Sequence, residues 1–154
     1  HFRTTGPEIW RDTGSQLDAF IAGVGTGGTV TGVGQFLKSK KPGLKIVAVE
    51  PAASPILSGG KPGPHGIQGI GANFIPAVLD RSILDDIITI RQEDAYAAVH
   101  DLAQTEGVLI GISGGANLAA ACQLAQNPAY GIKTIATVLP DSGERYLSTP
   151  LVAK

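Results

Sequence analysis

Two glycine-framed turns carry the residues of this chain best suited to chemistry. The first, Gly25-Thr26-Gly27-Gly28-Thr29, follows a short apolar run and leads into an amphipathic segment. Glycines let a backbone approach a ligand closely, and the N–H groups at the start of a helix converge on one point. With the hydroxyls of Thr26 and Thr29 added, the turn reads as a cup for a phosphate or another small anion. The competing reading is a glycine turn that serves only tight strand–helix packing. The same stretch also fits a dinucleotide fingerprint, Gly23-x-Gly25-x-x-Gly28. Glu50 then falls at the end of the next apolar run, about 20 residues on, where a ribose-binding acid would stand.

The second turn, Gly111-Ile112-Ser113-Gly114-Gly115, fits the G-x-S-x-G elbow that presents a nucleophilic serine in hydrolases. That chemistry needs an acid and then a histidine after the serine. Asp141 could serve as the acid, but His1, His65 and His100 all precede Ser113. Ser113 reads instead as a hydrogen-bonding residue at a helix start, with a plain N-cap as the alternative. Cys122, among alanines, reads as a buried structural thiol. His100 reads as a surface or half-buried residue, and His65 lies in a Gly/Pro-rich loop. Asp85-Asp86 lacks the further acids or histidines a metal would need, so no metal site is expected.

These turns need strands and helices to hold them. A short helix is expected over 4–13, with Thr4 or Thr5 as cap. Apolar runs at 18–24, 45–49, 87–90, 108–112 and 134–139 read as buried strands. Helical patterns cover 29–41, 92–106 and 114–126, stopped by Pro42-Gly43, Gly107 and Asn127-Pro128. The order predicts an α/β fold: an open, mostly parallel twisted sheet with helices on both faces. In such sheets ligands bind beyond the carboxyl ends of the strands. The turns after 18–24, 45–49, 108–112 and 134–139 then converge on one edge. Residues 52–82 form a long irregular stretch, the kind more often functional than accidental in a compact domain.

The 154 residues suit one domain, taken as 1–154. Twelve basic against thirteen acidic residues argue against nucleic acid or an anionic membrane as the main partner. No apolar run reaches the roughly 18 residues of a membrane span. A single cysteine excludes an internal disulfide and suits a reducing compartment. The chain contains no methionine and no visible signal peptide. It is read as a piece of something longer.

Five segments together carry a resemblance. They are Thr4-Thr5-Gly6-Pro7-Glu8-Ile9-Trp10, Gly25–Thr29, Gly63-Pro64-His65 through Ile67-Gln68-Gly69-Ile70-Gly71, Gly111-Ile112-Ser113, and Pro140-Asp141-Ser142-Gly143-Glu144-Arg145-Tyr146-Leu147-Ser148-Thr149. In order and spacing the chain resembles the carboxy-terminal portion of the cysteine synthases, or O-acetylserine sulfhydrylases. These are pyridoxal 5'-phosphate (PLP) enzymes of fold type II, and the match is to their larger, C-terminal domain.

The resemblance implies that Gly25, Thr26, Gly27, Gly28 and Thr29 cradle the cofactor's phosphate. It implies that Ser113 meets the pyridine nitrogen, and that Gly69 and Gly71 line the cofactor near its reactive face. The implied reaction is a β-elimination and β-replacement turning O-acetyl-L-serine and sulfide into L-cysteine and acetate. A homodimer, a cytoplasmic setting and docking of serine acetyltransferase's C-terminal tail are implied as well. Gly114 stands where the family often has a second serine. Gly66 stands where it often has a lysine, in the loop bordering that docking site.

In the family, the missing amino-terminal half carries the lysine that bonds the cofactor. Lys38, Lys40, Lys41, Lys45 and Lys133 are expected at the wrong edge of the sheet or too far along it, Lys154 is terminal, and only Lys61 lies in the long loop. No catalytic residue is therefore assigned, and residues 1–154 alone are expected to be inactive. The alternatives are a cystathionine β-synthase-like enzyme, an NAD(P)-binding Rossmann oxidoreductase using Gly23, Gly25, Gly28 and Glu50, and a non-catalytic regulatory paralogue.

Overall fold

The computed structural model describes residues 1–152. Helix α1 (Thr5–Thr13) precedes strand β1 (Ala19–Gly23), helix α2 (Gly28–Lys40) and strand β2 (Lys45–Pro51). After the long loop come β3 (Asp86–Ile90), α3 (Gln92–Glu106), α4 (Ile112–Gln126) and β4 (Ile135–Thr137). The four strands form one sheet in the order β3-β2-β1-β4, and every pairing is parallel.

Period-two alternation splits the strand side chains between two cores. Ala19, Ile21, Val47 and Val49 face α3 and α4, packing on Ala95, Val99, Ala116, Ala120 and Leu124. Phe20, Ala22, Ile46 and Ala48 face the other way and pack on Val30, Val33 and Leu37 of α2. Both faces of the sheet are covered, as the unbroken apolar strands predict. Two glycines set how closely the layers pack. A Cβ on Gly34 of α2 would lie 2.6 Å from Ile83, and one on Gly115 of α4 would strike the Ala95 carbonyl.

One expected strand is absent. Residues 108–111 form no strand, and Ile112 already begins α4. The segment lies beside the chain that follows β4. Two backbone bonds hold it there, from Gly111 N–H to the Asp141 carbonyl at 3.1 Å and from Gly143 N–H to the Leu109 carbonyl at 3.4 Å. The neighbouring β4 is three residues long and soon reaches Pro140, which has no N–H to donate. Val108 and Leu109 are left exposed at 44% and 58%.

Smaller departures have equally local causes. No threonine side chain caps α1; Gly6 N–H donates to the His1 carbonyl instead. Cys122 is exposed rather than buried, because α4 turns Ser113, Ala116, Asn117, Ala120 and Leu124 inward and Cys122 lies off that stripe. His100 is exposed.

Candidate active site

The carboxyl edge of the sheet opens into a cavity of about 380 Å³. Gly23, Gly25, Thr26, Gly27 and Thr29 form one side, Gly69 and Ile70 another, and Ser113, Asn117, Pro140, Asp141 and Tyr146 the rest. Three of the four expected turns meet here, those after 18–24, 108–112 and 134–139; the turn after 45–49 does not line this cavity, since Glu50 lines a neighbouring one.

The first turn needs its glycines. Gly27 is the N-cap of α2 and has φ +83°, a left-handed conformation that side chains disfavour. A Cβ there would also lie 2.8 Å from that of Leu79. Gly25 has a different reason: a Cβ would come within 2.5 Å of the Gly69 carbonyl oxygen. The cup and the long loop thus touch backbone to backbone. Gly28 is the first residue of α2, and its N–H donates to Thr26 Oγ1 at 3.4 Å. Thr29 Oγ1 lies 3.2 Å from His1 Nε2, whose ring also meets Thr5 Oγ1 through Nδ1 at 2.9 Å. No cap side chain occupies the amino end of α2. Apart from the Gly28 N–H, its first N–H groups and positive pole are available to an anion.

Ser113 is buried at 6% exposure and is the second residue of α4, so it is not the N-cap; Gly111 is. Gly69, at φ +94°, lies opposite: a Cβ on it would sit 3.5 Å from Ser113 Oγ. Gly71 falls elsewhere. Its N–H donates to the Val24 carbonyl at 3.0 Å, and its own carbonyl accepts from His65 Nε2 at 2.8 Å. It lines a small neighbouring cavity with Val24, Glu50 and Asn73, not the one containing Ser113.

Glu50 is buried and fully engaged by its own loop. Oε2 accepts from Leu57 N–H at 2.7 Å, and Oε1 accepts from Ser58 N–H at 2.9 Å and Ser58 Oγ at 2.5 Å. The acid that a ribose would need serves instead to fold the long loop. The lysines are similarly engaged or remote. Lys38 pairs with Asp85 at 2.8 Å, Lys45 with the same carboxylate at 3.7 Å, and Lys41 with Asp18 at 3.4 Å, all at the opposite edge of the sheet. Lys61 and Lys133 are exposed, and Lys154 lies outside the described residues. Among the described residues no lysine lines the cavity. Among the described residues no cluster of three or more potential metal ligands occurs, and no helix is long and apolar enough to cross a membrane.

Asn117 and Tyr146 were not singled out from the sequence. Asn117 stands four residues after Ser113, on the same helix face, a spacing that could have pointed to it. Its Nδ2 donates to the Val138 carbonyl at 2.8 Å, while its buried Oδ1 has no partner. Tyr146 donates to Asp141 Oδ2 at 2.6 Å, and Asp141 Oδ1 is buried without a partner. Burial first, and then the hydrogen bond and charge of Asp141, push the Tyr146 phenol up to about 12, against a smaller opposite pull from Arg145.

The cavity thus pairs an anion cup with a wall of hydrogen-bonding groups. A phosphorylated heteroaromatic ring would be held by both halves, its phosphate by N–H groups of the cup and a polar ring atom by the hydrogen-bonding wall. Comparison with known proteins agrees. The model of the pyridoxal-phosphate dependent enzyme family matches residues 2–141. A cysteine synthase of Staphylococcus aureus (strain N315) is 54% identical over 152 residues, 98% of this chain and 49% of the relative. The crystal structure of O-acetyl serine sulfhydrylase isoform 3 from Entamoeba histolytica superposes with a TM-score of 0.94 at 46% identity, covering 97% of this chain and 45% of that one. An O-acetylserine dependent cystathionine beta-synthase from Helicobacter pylori gives a TM-score of 0.88 at 40% identity, covering 98% and 49%. The chain spans about half the length of the curated relatives it matches, 49%.

Proposed function

This chain belongs to the pyridoxal-phosphate dependent enzymes, and on that premise we propose that it forms the cofactor-binding half of a cysteine synthase. The observation that carries the proposal is the joining of the Gly25–Thr29 cup to buried Ser113 in one cavity. In this reading the backbone N–H groups of the cup and the Thr26 and Thr29 hydroxyls bind the cofactor's phosphate. Ser113 offers a hydroxyl to the pyridine nitrogen, and Gly69 keeps the opposite wall free of a side chain. The cofactor supplies an electron sink for β-elimination. The protein holds the ring fixed and excludes water around it.

The substrates proposed are O-acetyl-L-serine and sulfide, supported by the 54% identity to a cysteine synthase. The O-acetylserine dependent cystathionine beta-synthase neighbour supports the alternative, a cystathionine β-synthase-like enzyme that takes a different sulfur donor. The proposal extends to a cytoplasmic homodimer that receives the serine acetyltransferase tail. Its support is the family resemblance, together with the exposed apolar run Phe74, Ile75 and Val78 of the long loop.

The test is cysteine formation from O-acetylserine and sulfide by the whole protein that carries this chain. Wild type is expected to turn over, and Ser113→Ala to be slowed but measurable. Residues 1–154 alone are expected to stay at the free-cofactor background, since among the described residues no lysine lines the cavity. Stoichiometric labelling of Ser113 by a fluorophosphonate would overturn the assignment in favour of a hydrolase.

A further inference from the structure

The cavity wall opposite Ser113 belongs to a short span held at both ends. At one end Gly71 N–H donates to the Val24 carbonyl at 3.0 Å, and the Gly71 carbonyl accepts from His65 Nε2 at 2.8 Å. At the other end Gly66 N–H donates to Gln92 Oε1 at 2.7 Å. Gly69 lies between them. It faces Ser113, and its carbonyl oxygen lies 2.5 Å from where a Gly25 Cβ would stand.

Gln92 is the first residue of α3, and both halves of its amide are used. Oε1 accepts from Gly66, and Nε2 donates to the Tyr96 hydroxyl, one turn along the same helix, at 3.3 Å. The Gly66 N–H fixes which way the amide faces, because the reverse would set an N–H₂ group against it. Position 66 is shaped to receive this amide. A Cβ on Gly66 would lie 2.8 Å from the amide carbon and closer still to Oε1. The space a side chain would take at position 66 is occupied by Gln92.

Ile67 is fully buried in the core cluster that contains Ile90 and Ala95. Apolar packing is non-directional, so it sets the depth of the span and not its rotation. The rotation is set by the directional bond at Gly66, whose carbonyl accepts in turn from Gln68 N–H at 3.1 Å, one residue before Gly69. Gln92 does not line the cavity that contains Ser113. It borders a separate cavity of about 200 Å³ with Pro64, His65 and Ile67.

We propose that Gln92 is a positioning residue for cofactor binding: its amide holds the Gly66 peptide and thereby sets the place of the Gly69–Ile70 wall opposite Ser113. The inference rests on the reading of the cavity as a pyridoxal-phosphate site.

The experiment uses pyridoxine 5'-phosphate, which has the same ring and phosphate but no aldehyde to react with lysines, and the cofactor-free whole protein that carries this chain. Gln92→Ala is expected to weaken binding about tenfold, the equivalent of one lost hydrogen bond. Gly66→Ala displaces the same amide from the other side and is expected to weaken binding by a similar factor. The losses do not add in the double variant, since either change alone already removes the contact. Gln92→Glu keeps an oxygen for the Gly66 N–H, and Tyr96 can turn its hydroxyl to donate to the carboxylate, so binding within about twofold of wild type is expected. Amide hydrogen exchange is expected to rise over residues 66–71 in Gln92→Ala and to stay unchanged over α2. A wild type that does not bind pyridoxine 5'-phosphate refutes the cofactor reading itself. Unchanged affinity in Gln92→Ala, additive losses in the double variant or no recovery in Gln92→Glu refutes the role of Gln92 alone. Exchange that is unchanged over residues 66–71, or that rises throughout the chain, refutes that role whether or not the ligand binds.

Discussion

Gly25→Ala tests whether the cup and the long loop are one device. Gly25 does not have a left-handed backbone, so the substitution adds a methyl group without conformational strain. That methyl would lie 2.5 Å from the Gly69 carbonyl oxygen. Ordinary non-bonded contact lies near 3.5 Å, so one backbone must move by about 1 Å. Neither side can yield cheaply. Gly25 leads into α2, and Gly69 sits at φ +94° facing Ser113. Overpacking of this kind costs about 1–3 kcal/mol. Moving the cup by 1 Å also breaks the alignment of its N–H groups on an anion, since hydrogen bonds weaken steeply beyond their usual geometry. The expected outcome is a loss of that stability in urea denaturation, with at least about tenfold weaker pyridoxine 5'-phosphate binding, equal to about 1.4 kcal/mol. Gly43→Ala is the control, because its Cβ would meet nothing within 4 Å. A folded Gly25→Ala protein that binds the ligand as tightly as Gly43→Ala would refute the reasoning.

Two further predictions concern the scaffold. Glu50→Gln replaces one of two accepting oxygens with an amide N–H₂ that must face either the Leu57 N–H or the Ser58 donors, and should cost about 1–3 kcal/mol in urea denaturation; equal stability would show that Glu50 does not organise the long loop. Asp85 is pushed up by burial, but Lys38, the Ile46 N–H and the Lys45 charge outweigh that and hold it below its ordinary 3.8. A depressed folded value contributes stability above the ordinary value that is lost as pH falls through the folded one. The urea midpoint should therefore drop below about pH 4, and less steeply in Asp85→Asn; identical slopes would count against the Lys38 pairing.

What the sequence determined by itself was the alternation of elements and the identity of the turns. Unbroken apolar runs such as Phe20–Ala22 and Ile46–Val49 require burial on both sides, and that demand alone specifies a parallel sheet under two helical layers. Gly25–Thr29 could be read as an anion cup because its residue types constrain a local backbone. The segment 108–111 could not be judged the same way. Its composition is that of a strand, but a strand needs a neighbour with free N–H groups, and the chain beside it runs into Pro140.

Tertiary structure also decided which candidates meet. Gly69 and Gly71 are equivalent by spacing, yet only Gly69 faces Ser113, because the Val24 carbonyl and His65 hold Gly71 on a neighbouring cavity. Glu50 had the right place for a ribose, and only the fold of residues 57–58 onto its carboxylate showed it occupied. Asp141 and Tyr146 lie in a segment that carries the family resemblance, but nothing local in the sequence brings them and Asn117 to one cavity wall. Their importance arises from unpartnered atoms and close approaches between segments far apart in the chain, quantities that exist only once the chain has folded.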